Sequence, residues 1–282
     1  MNQVPDQIVD AAKAGERAAL EQLVGAVKDD VYGLAIRMLW HPADAEDATQ
    51  EILIRVVTHL SAFRGEAAFG TWVYRIAANH LLTTRRRRAE RAALSFDAFA
   101  ADLAEGLDTA YDPHSVDEEL LAEEVKIGCT QGMLLCLDRE QRLAYVLGEV
   151  FELPGEQAAY ILKIEPAAYR KRLSRARERI RWFMAGQCGL VDPGNACRCT
   201  RRVGRAIEVG RVDPERLLFA AHPRRSETVR AAVGEMERLH ATAAVFHSHP
   251  DYLAPDAVGD KITQLLDSGR YTLLAPDRHP AR

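Results

Sequence analysis

The sequence predicts an all-α fold from three observations. Apolar residues recur at three- and four-residue steps through the first ninety or so positions; the same pattern resumes after an acidic interval; and a short helix, a tight turn and a long basic helix then follow in succession. These features divide the 282 residues into a helical domain over 1–91, an acidic linker over 92–124, a second helical domain over 125–186 and a small, mainly helical C-terminal extension over 187–282. A chain of this length has room for two or three modules that each bury a core.

In chain order, Ile8–Ala14 and Ala18–Leu39 are two amphipathic stretches split near Gly15. After the breaker pair His41-Pro42, Asp44 is a plausible N-cap, and Ala45, Ala48, Ile52, Leu53, Val56, Val57 and Leu60 form one apolar stripe. Asp47, Gln50, Glu51 and Arg55 fall on the opposite face, which reads either as solvated surface or as a docking surface. Gly65 and Gly70 bracket a loop before a helix that runs from about Thr71 into Arg85–Arg88. Between Ala92 and about Glu124 the periodicity decays into Asp, Glu, Ala and Ser around Pro113, as expected of a linker.

Helical pattern returns at about Val125, where Leu134, Leu135, Leu137, Leu143, Val146, Leu147 and Val150 can build a second core. Gly155–Lys163, the break Ile164-Glu165-Pro166 and the helix Ala167–Met184 then form a candidate helix-turn-helix. From Cys188 the chain is turn-rich, followed by helical stretches at Val203–Val209, Ser226–His240 and Ala257–Leu266.

Charge is segregated rather than balanced. Lys and Arg total 37 against 41 Asp and Glu, a net −4, but bases crowd into Arg85–Arg91 and Lys163–Arg211 while acids crowd into Asp97–Glu124. The pI therefore says little about partners. No apolar run approaches the roughly 18 residues that span a bilayer, and MNQVPDQIVD lacks the layout of a signal peptide, so a cytoplasmic protein without a membrane partner is expected. Five cysteines, three of them within CGLVDPGNACRC, do not resemble an extracellular disulfide framework.

Two basic segments carry the chemistry. In Ala167–Met184, Tyr169, Leu173, Ala176, Ile180 and Phe183 share one stripe, which leaves Arg170, Lys171, Ser174, Arg175, Arg177 and Arg181 outside it. An arginine on a helix in the major groove can grip guanine O6 and N7 while its neighbours hold phosphates. FGTWVYRIAANHLLTTRRRR, Phe69 to Arg88, joins Trp72, Tyr74 and Asn79 to four arginines. Rings can stack unpaired bases, an amide can read a base edge and arginines can hold the backbone. Taken alone, residues such as Trp72 and Tyr74 are more often core residues than base platforms.

DAEDATQEILIRVVTHLSAFRGEAAFGTWVYRIAANHLLTTRRRR resembles region 2 of the extracytoplasmic-function (ECF, group 4) sigma factors of the sigma-70 family. LDREQRLAYVLGEVFELPGEQAAYILKIEPAAYRKRLSRARERIR is similar to their region 4. The resemblance covers about Ile8 to Met184. It implies a non-enzymatic promoter-specificity subunit that needs no cofactor and works with core RNA polymerase and promoter DNA, with an anti-sigma factor as a possible further partner. By resemblance, Asp47, Gln50, Glu51 and Arg55 dock on polymerase. Phe63, Arg64, Phe69, Trp72, Arg75, Asn79, Arg85 and Arg86 serve −10 recognition and melting, and Arg170, Lys171, Ser174, Arg175 and Arg177 serve −35 recognition. The acidic linker threads the polymerase channel. Thr83, Thr84, Thr49 and the run Tyr169–Arg172 depart from the family's usual residues, so a promoter sequence does not carry over. A freestanding helix-turn-helix regulator is the alternative, and the pattern around Gln50 argues against it.

A minimal member of that family ends near Met184, so about a third of the chain is additional. Cys188, Cys197 and Cys199 could hold zinc if His222, His240, His247 or His249 supplied a fourth ligand; a redox-sensitive thiol cluster or plain cysteines are the alternatives. His247-Ser248-His249 with Asp260 copies the ligand spacing of the JAMM metallopeptidases, but Ala257 replaces their serine, so peptidase activity is not expected. Val229, Val233, Met236 and Leu239 mark an amphipathic helix that must bury one side. A regulatory role is expected of the extension.

Overall fold

The structure, a computed structural model of the chain, describes residues 4–84, 95–107, 109, 118–220, 245–247, 249 and 252–268. Among them the regular elements are all helical, and β-type pairing is confined to an isolated bridge between Cys188 and Cys197. The chain separates into two compact units. The first comprises Met1–Arg87, Ala159–Glu165 and Leu253–Arg282, and the second Arg88–Ala158 and Pro166–Tyr252.

The first unit is built on α1 (Asp6–Lys13), α2 (Arg17–Leu39), α3 (Pro42–Thr58) and α4 (Phe69–Thr83). α2 packs against the other three through Leu23, Val27, Val31, Leu34 and Met38, all buried. It ends where Trp40 turns left-handed, at φ 53°. The sequence places the cap of α3 at Asp44. In the structure the cap is His41, whose Nδ1 accepts from the Asp44 amide at 3.4 Å, and Pro42 occupies the first turn, where no amide is needed. The predicted stripe of α3 is the buried one: Ala45, Ala48, Ile52, Leu53 and Val56 are fully enclosed. Thr49 is enclosed with them because its hydroxyl donates to the Ala45 carbonyl at 2.7 Å.

Gly65, at φ 72°, supplies the left-handed residue of the turn that leads into α4. At the other end of α4, the hydroxyls of Thr83 and Thr84 donate to the Asn79 and His80 carbonyls, each at 2.7 Å. The His80 carbonyl also accepts the Thr84 amide at 2.8 Å, so the hydroxyls add second hydrogen bonds to carbonyls of the last turn. The C-terminal helix, here α11 (Asp256–Asp267), belongs to this unit. Val258, Ile262 and Leu266 form its buried stripe, it packs on α2 and α3, and the Ala254 amide donates to Asp29 Oδ1 at 2.9 Å. Arg17 pairs with Asp267.

The second unit contains α5 (Phe96–Ala104), α6 (Glu118–Leu135), α7 (Arg139–Tyr145) and α9 (Pro166–Gln187). α8 (Gly155–Leu162) leads into α9 and is shared between the units. Leu134, Leu143, Leu147, Tyr169, Ala176 and Ile180 are buried in the core. Arg142 is buried too, and closes the end of α6 by donating to the carbonyls of Leu134 at 2.9 Å and Leu137 at 3.1 Å. After α7 the chain makes a π-turn over Val146–Val150. A Cβ on Gly148 would run into the Tyr169 hydroxyl and come within 2.8 Å of Leu173. Gly148→Ala is therefore expected to lower stability by about 1–3 kcal/mol through overpacking, measurable as a lower urea midpoint. An unchanged midpoint would show that Tyr169 moves aside at no cost.

The sequence suggests a linker over 92–124, but part of it is folded. Ser95 Oγ accepts from the Ala98 amide at 3.1 Å and starts α5, whose Phe96 and Phe99 lie 5.2 and 5.5 Å from the Phe183 ring. Apolar contact with α9, not local pattern, holds this helix. Residues 110–117 lie outside the described residues.

The extension is divided between the units. Its first part continues the second unit through a 3-10 turn, Thr200–Arg202, and α10 (Val203–Glu208). Val203, Ala206 and Val212 cluster with Leu121 and Val125 of α6. Arg211 donates to both carboxylate oxygens of Asp102 on α5, at 2.5 and 2.7 Å, and holds that carboxyl below its ordinary range. Buried Arg202 reaches the Leu103 carbonyl at 3.4 Å. Glu124, also buried, accepts three consecutive amides, from Leu218 and Phe219 at 3.0 Å and Ala220 at 2.7 Å. The helix expected around Val229, Val233, Met236 and Leu239 lies outside the described residues.

Candidate nucleic-acid interface and thiol cluster

After α8 ends at Leu162, Lys163 turns left-handed at φ 55°, and α9 begins at Pro166 in a helix-turn-helix succession. Tyr169, Leu173, Ala176, Ile180 and Phe183 are buried, so the helix period forces Arg170, Lys171, Ser174 and Arg175 outward, and all four are exposed. Their neighbours are tied down. Arg172 pairs with Glu140 at 2.7 Å, Arg179 donates to Gln141 at 3.0 Å, and Arg177 pairs with Glu149. The hydrogen bond that Arg177 donates to the Glu149 carboxylate raises the Arg177 pKa further. Arg177, grouped by sequence with the readers, is thus engaged within the protein. Trp182 was not singled out by sequence, yet it is 72% exposed. Phe183 takes the inward position beside it.

The segment around α4 divides into buried and exposed side chains. Phe63, Phe69 and Tyr74 are buried. Phe63, Phe69 and half-buried Trp72 form a mutual cluster with centroids 5.4 to 5.8 Å apart, and Lys13 Nζ sits 5.1 Å from the Phe63 ring. Phe63 and Phe69 thus pack their apolar surface into the core of this unit. Asn79 and Arg64 are exposed. Arg75 is half-buried, with its guanidinium 4.4 Å from the Tyr160 ring centroid. Arg85 and Arg86 lie outside the described residues.

On α3, Asp47, Glu51 and Arg55 are exposed at four-residue steps, so they form one outward stripe. Gln50 beside them is half-buried, with its amide nitrogen enclosed and unpaired. Glu51 approaches His80 Nε2 at 3.7 Å.

All five cysteines are free. Cys188 and Cys197 are bridged through their backbones, with the Gly189 amide donating to the Cys197 carbonyl at 3.1 Å. Cys199 packs against the Leu121–Val125 cluster, and burial pushes its thiol up to about 12. Cys129 on α6 was not among the residues suggested by sequence. Its thiol is pushed up by burial and, next, by the neighbouring thiols of Cys199, Cys197 and Cys188. The histidines suggested as fourth ligands are otherwise engaged: His249 bonds Thr130 Oγ1 at 2.5 Å and the Tyr252 hydroxyl at 3.3 Å, and His247 bonds the Glu149 carbonyl. His222 and His240 lie outside the described residues. Among the described residues no three His, Cys, Asp or Glu side chains are gathered as a ready metal site.

Residues 23–91 match the family model Sigma-70 region 2. The chain is 31% identical over 178 residues to the RNA polymerase sigma-H factor of Pseudomonas aeruginosa, a match that covers 62% of this chain and 90% of that one. It is 33% identical over 174 residues to the ECF RNA polymerase sigma factor SigW of Bacillus subtilis, covering 60% and 90%. With the ECF RNA polymerase sigma-E factor of Haemophilus influenzae it shares 32% over 185 residues, covering 63% and 94%. An all-helical protein with an exposed basic edge on the second helix of a helix-turn-helix belongs to the class of DNA-reading transcription factors. Within that class, this chain belongs to the extracytoplasmic-function sigma factors of the sigma-70 family, RNA polymerase subunits that direct promoter-specific transcription initiation. Among the described residues no helix is long and apolar enough to cross a membrane.

Proposed function

We propose that the chain acts as a non-catalytic initiation subunit whose −35 contacts come from Arg170, Lys171, Ser174 and Arg175. The observation that carries this reading is the exposed edge of α9, where Lys171 and Arg175 stand one turn apart while Arg172, Arg177 and Arg179 are drawn back to the protein. The stripe Asp47, Glu51 and Arg55, with Gln50, docks on core polymerase. The unpaired amide of Gln50 suits a surface completed by a partner. Asn79, exposed on α4, contacts a base of the melted −10 strand, Arg64 and Arg75 hold the strand nearby, and the Phe63–Phe69–Trp72 cluster sets the angle of α4. The extension regulates this activity through its hold on α5 and α6.

Asn79→Ala tests the melting step. The variant is expected to form closed complexes normally and to open the promoter about tenfold more slowly, and a template with a pre-melted bubble is expected to restore transcription. If the bubble gives no rescue, the amide does not act at strand capture.

A further inference from the structure

The thiols of Cys188, Cys197 and Cys199 lie on a loop that is built before any ligand arrives. Asn195 Nδ2 donates to the carbonyls of Ala185 at 2.9 Å and Cys188 at 3.2 Å. Arg198 donates to the Cys197 carbonyl at 2.8 Å and the Pro193 carbonyl at 2.9 Å. The Val191 and Asp192 amides turn back onto the Cys188 carbonyl at 3.2 and 3.0 Å. This knuckle presents Cys188 and Cys197 side by side, and Cys199 follows at the start of the 3-10 turn that packs on α6.

On α6, Cys129 comes one turn after Val125, the residue against which the extension packs, so both point toward the same loop. Cys199 packs against Leu121 and Val125, so the end of the knuckle lies on the face of α6 that carries Cys129 one turn further on. Arg198, Arg201 and Arg202 lie within five positions of Cys197, and Lys126 on α6 is paired with Glu123 at 2.6 Å. A divalent ion held by four thiolates carries two net negative charges, and this basic rim offsets them. Four sulfur donors at a closed site select zinc over harder ions such as magnesium or calcium.

We propose that Cys129, Cys188, Cys197 and Cys199 together form a four-thiolate structural zinc site that clips the extension to α6. Binding draws the knuckle onto the helix, and each thiol gives up its proton to solvent as its sulfur bonds the metal, with no oxidation. The fourth ligand is thus a cysteine 59 positions before the sequence cluster, on the first long helix of the second unit, not one of the histidines.

The full-length protein, purified under reducing conditions, is expected to carry one zinc per chain. After exchange to cobalt(II) it should show the visible bands and intense thiolate charge transfer of a tetrahedral all-sulfur site. Cys129→Ser should weaken zinc binding at least tenfold and reduce the charge-transfer intensity. Cys129→His should keep a tetrahedral cobalt spectrum with the bands shifted toward those of a three-sulfur, one-nitrogen site, which guards against simple misfolding of the serine variant. Cys136→Ser should match wild type. Metal-free wild type, a protein whose four thiols merely oxidise in pairs, or a Cys129→His protein with an unshifted spectrum would each overturn the proposal.

Discussion

Replacing Lys171 and Arg175 together with alanine is expected to reduce transcription from a −35-dependent promoter by tenfold to several-hundredfold while leaving affinity for core polymerase unchanged. Each side chain stands exposed on α9, one helical turn from the other, and the inward stripe from Tyr169 to Phe183 fixes that edge rigidly. A specific base contact is worth about 1–3 kcal/mol and a phosphate contact rather less, so losing both gives a deficit of that order. Arg177→Ala serves as the internal comparison. Because Arg177 is bound to Glu149, its loss should cost less than that of Arg175. The decisive measurement is abortive initiation on matched promoters with and without a −35 element. Equal deficits on both templates would move base reading away from this edge.

The second large effect is expected at Glu124. Its carboxylate is buried and accepts the amides of Leu218, Phe219 and Ala220, so Glu124→Ala leaves three donors without a partner in an enclosed place. With about 1–3 kcal/mol for each buried group left unsatisfied, a loss of roughly 3 kcal/mol or more is expected. It should appear as a lower urea midpoint and as new proteolytic cleavage near Glu215–Ala220. Glu124→Gln keeps one acceptor oxygen and should fall between. An alanine variant as stable and as protease-resistant as wild type would mean that these amides find other partners at no cost.

The helices of the first unit and the helix-turn-helix were legible because each carries its own periodic stripe. The residues predicted to face inward on α3 and α9 are the ones buried. Local signals also existed for α5, where Ser95 precedes Phe96, Phe99 and Leu103 at helical spacing, but the surrounding acids concealed them. The burial of the rings at Phe63 and Phe69 was not legible for a different reason: an aromatic residue near a functional loop has the same letter whether it faces outward or packs in a core, and only packing decides. Glu124 and Cys129 were not legible at all. Their partners lie about 60 to 96 positions away, and nothing in an acidic run or a solitary cysteine announces a contact at that separation.

The three amides on Glu124 also set an order of events during synthesis. A ribosome that has just released α9 has made every helix of the DNA-reading motif, yet Leu121, Val125 and the Glu124 carboxylate still await Val203–Ala220. Contacts so distant in sequence form late. The nascent second unit must therefore spend the translation of some thirty further residues, one to several seconds at bacterial elongation rates, with one flank of α6 uncovered. A protein of this build is completed from its tail backwards, so the length of chain that has emerged decides when the sigma factor becomes a finished molecule.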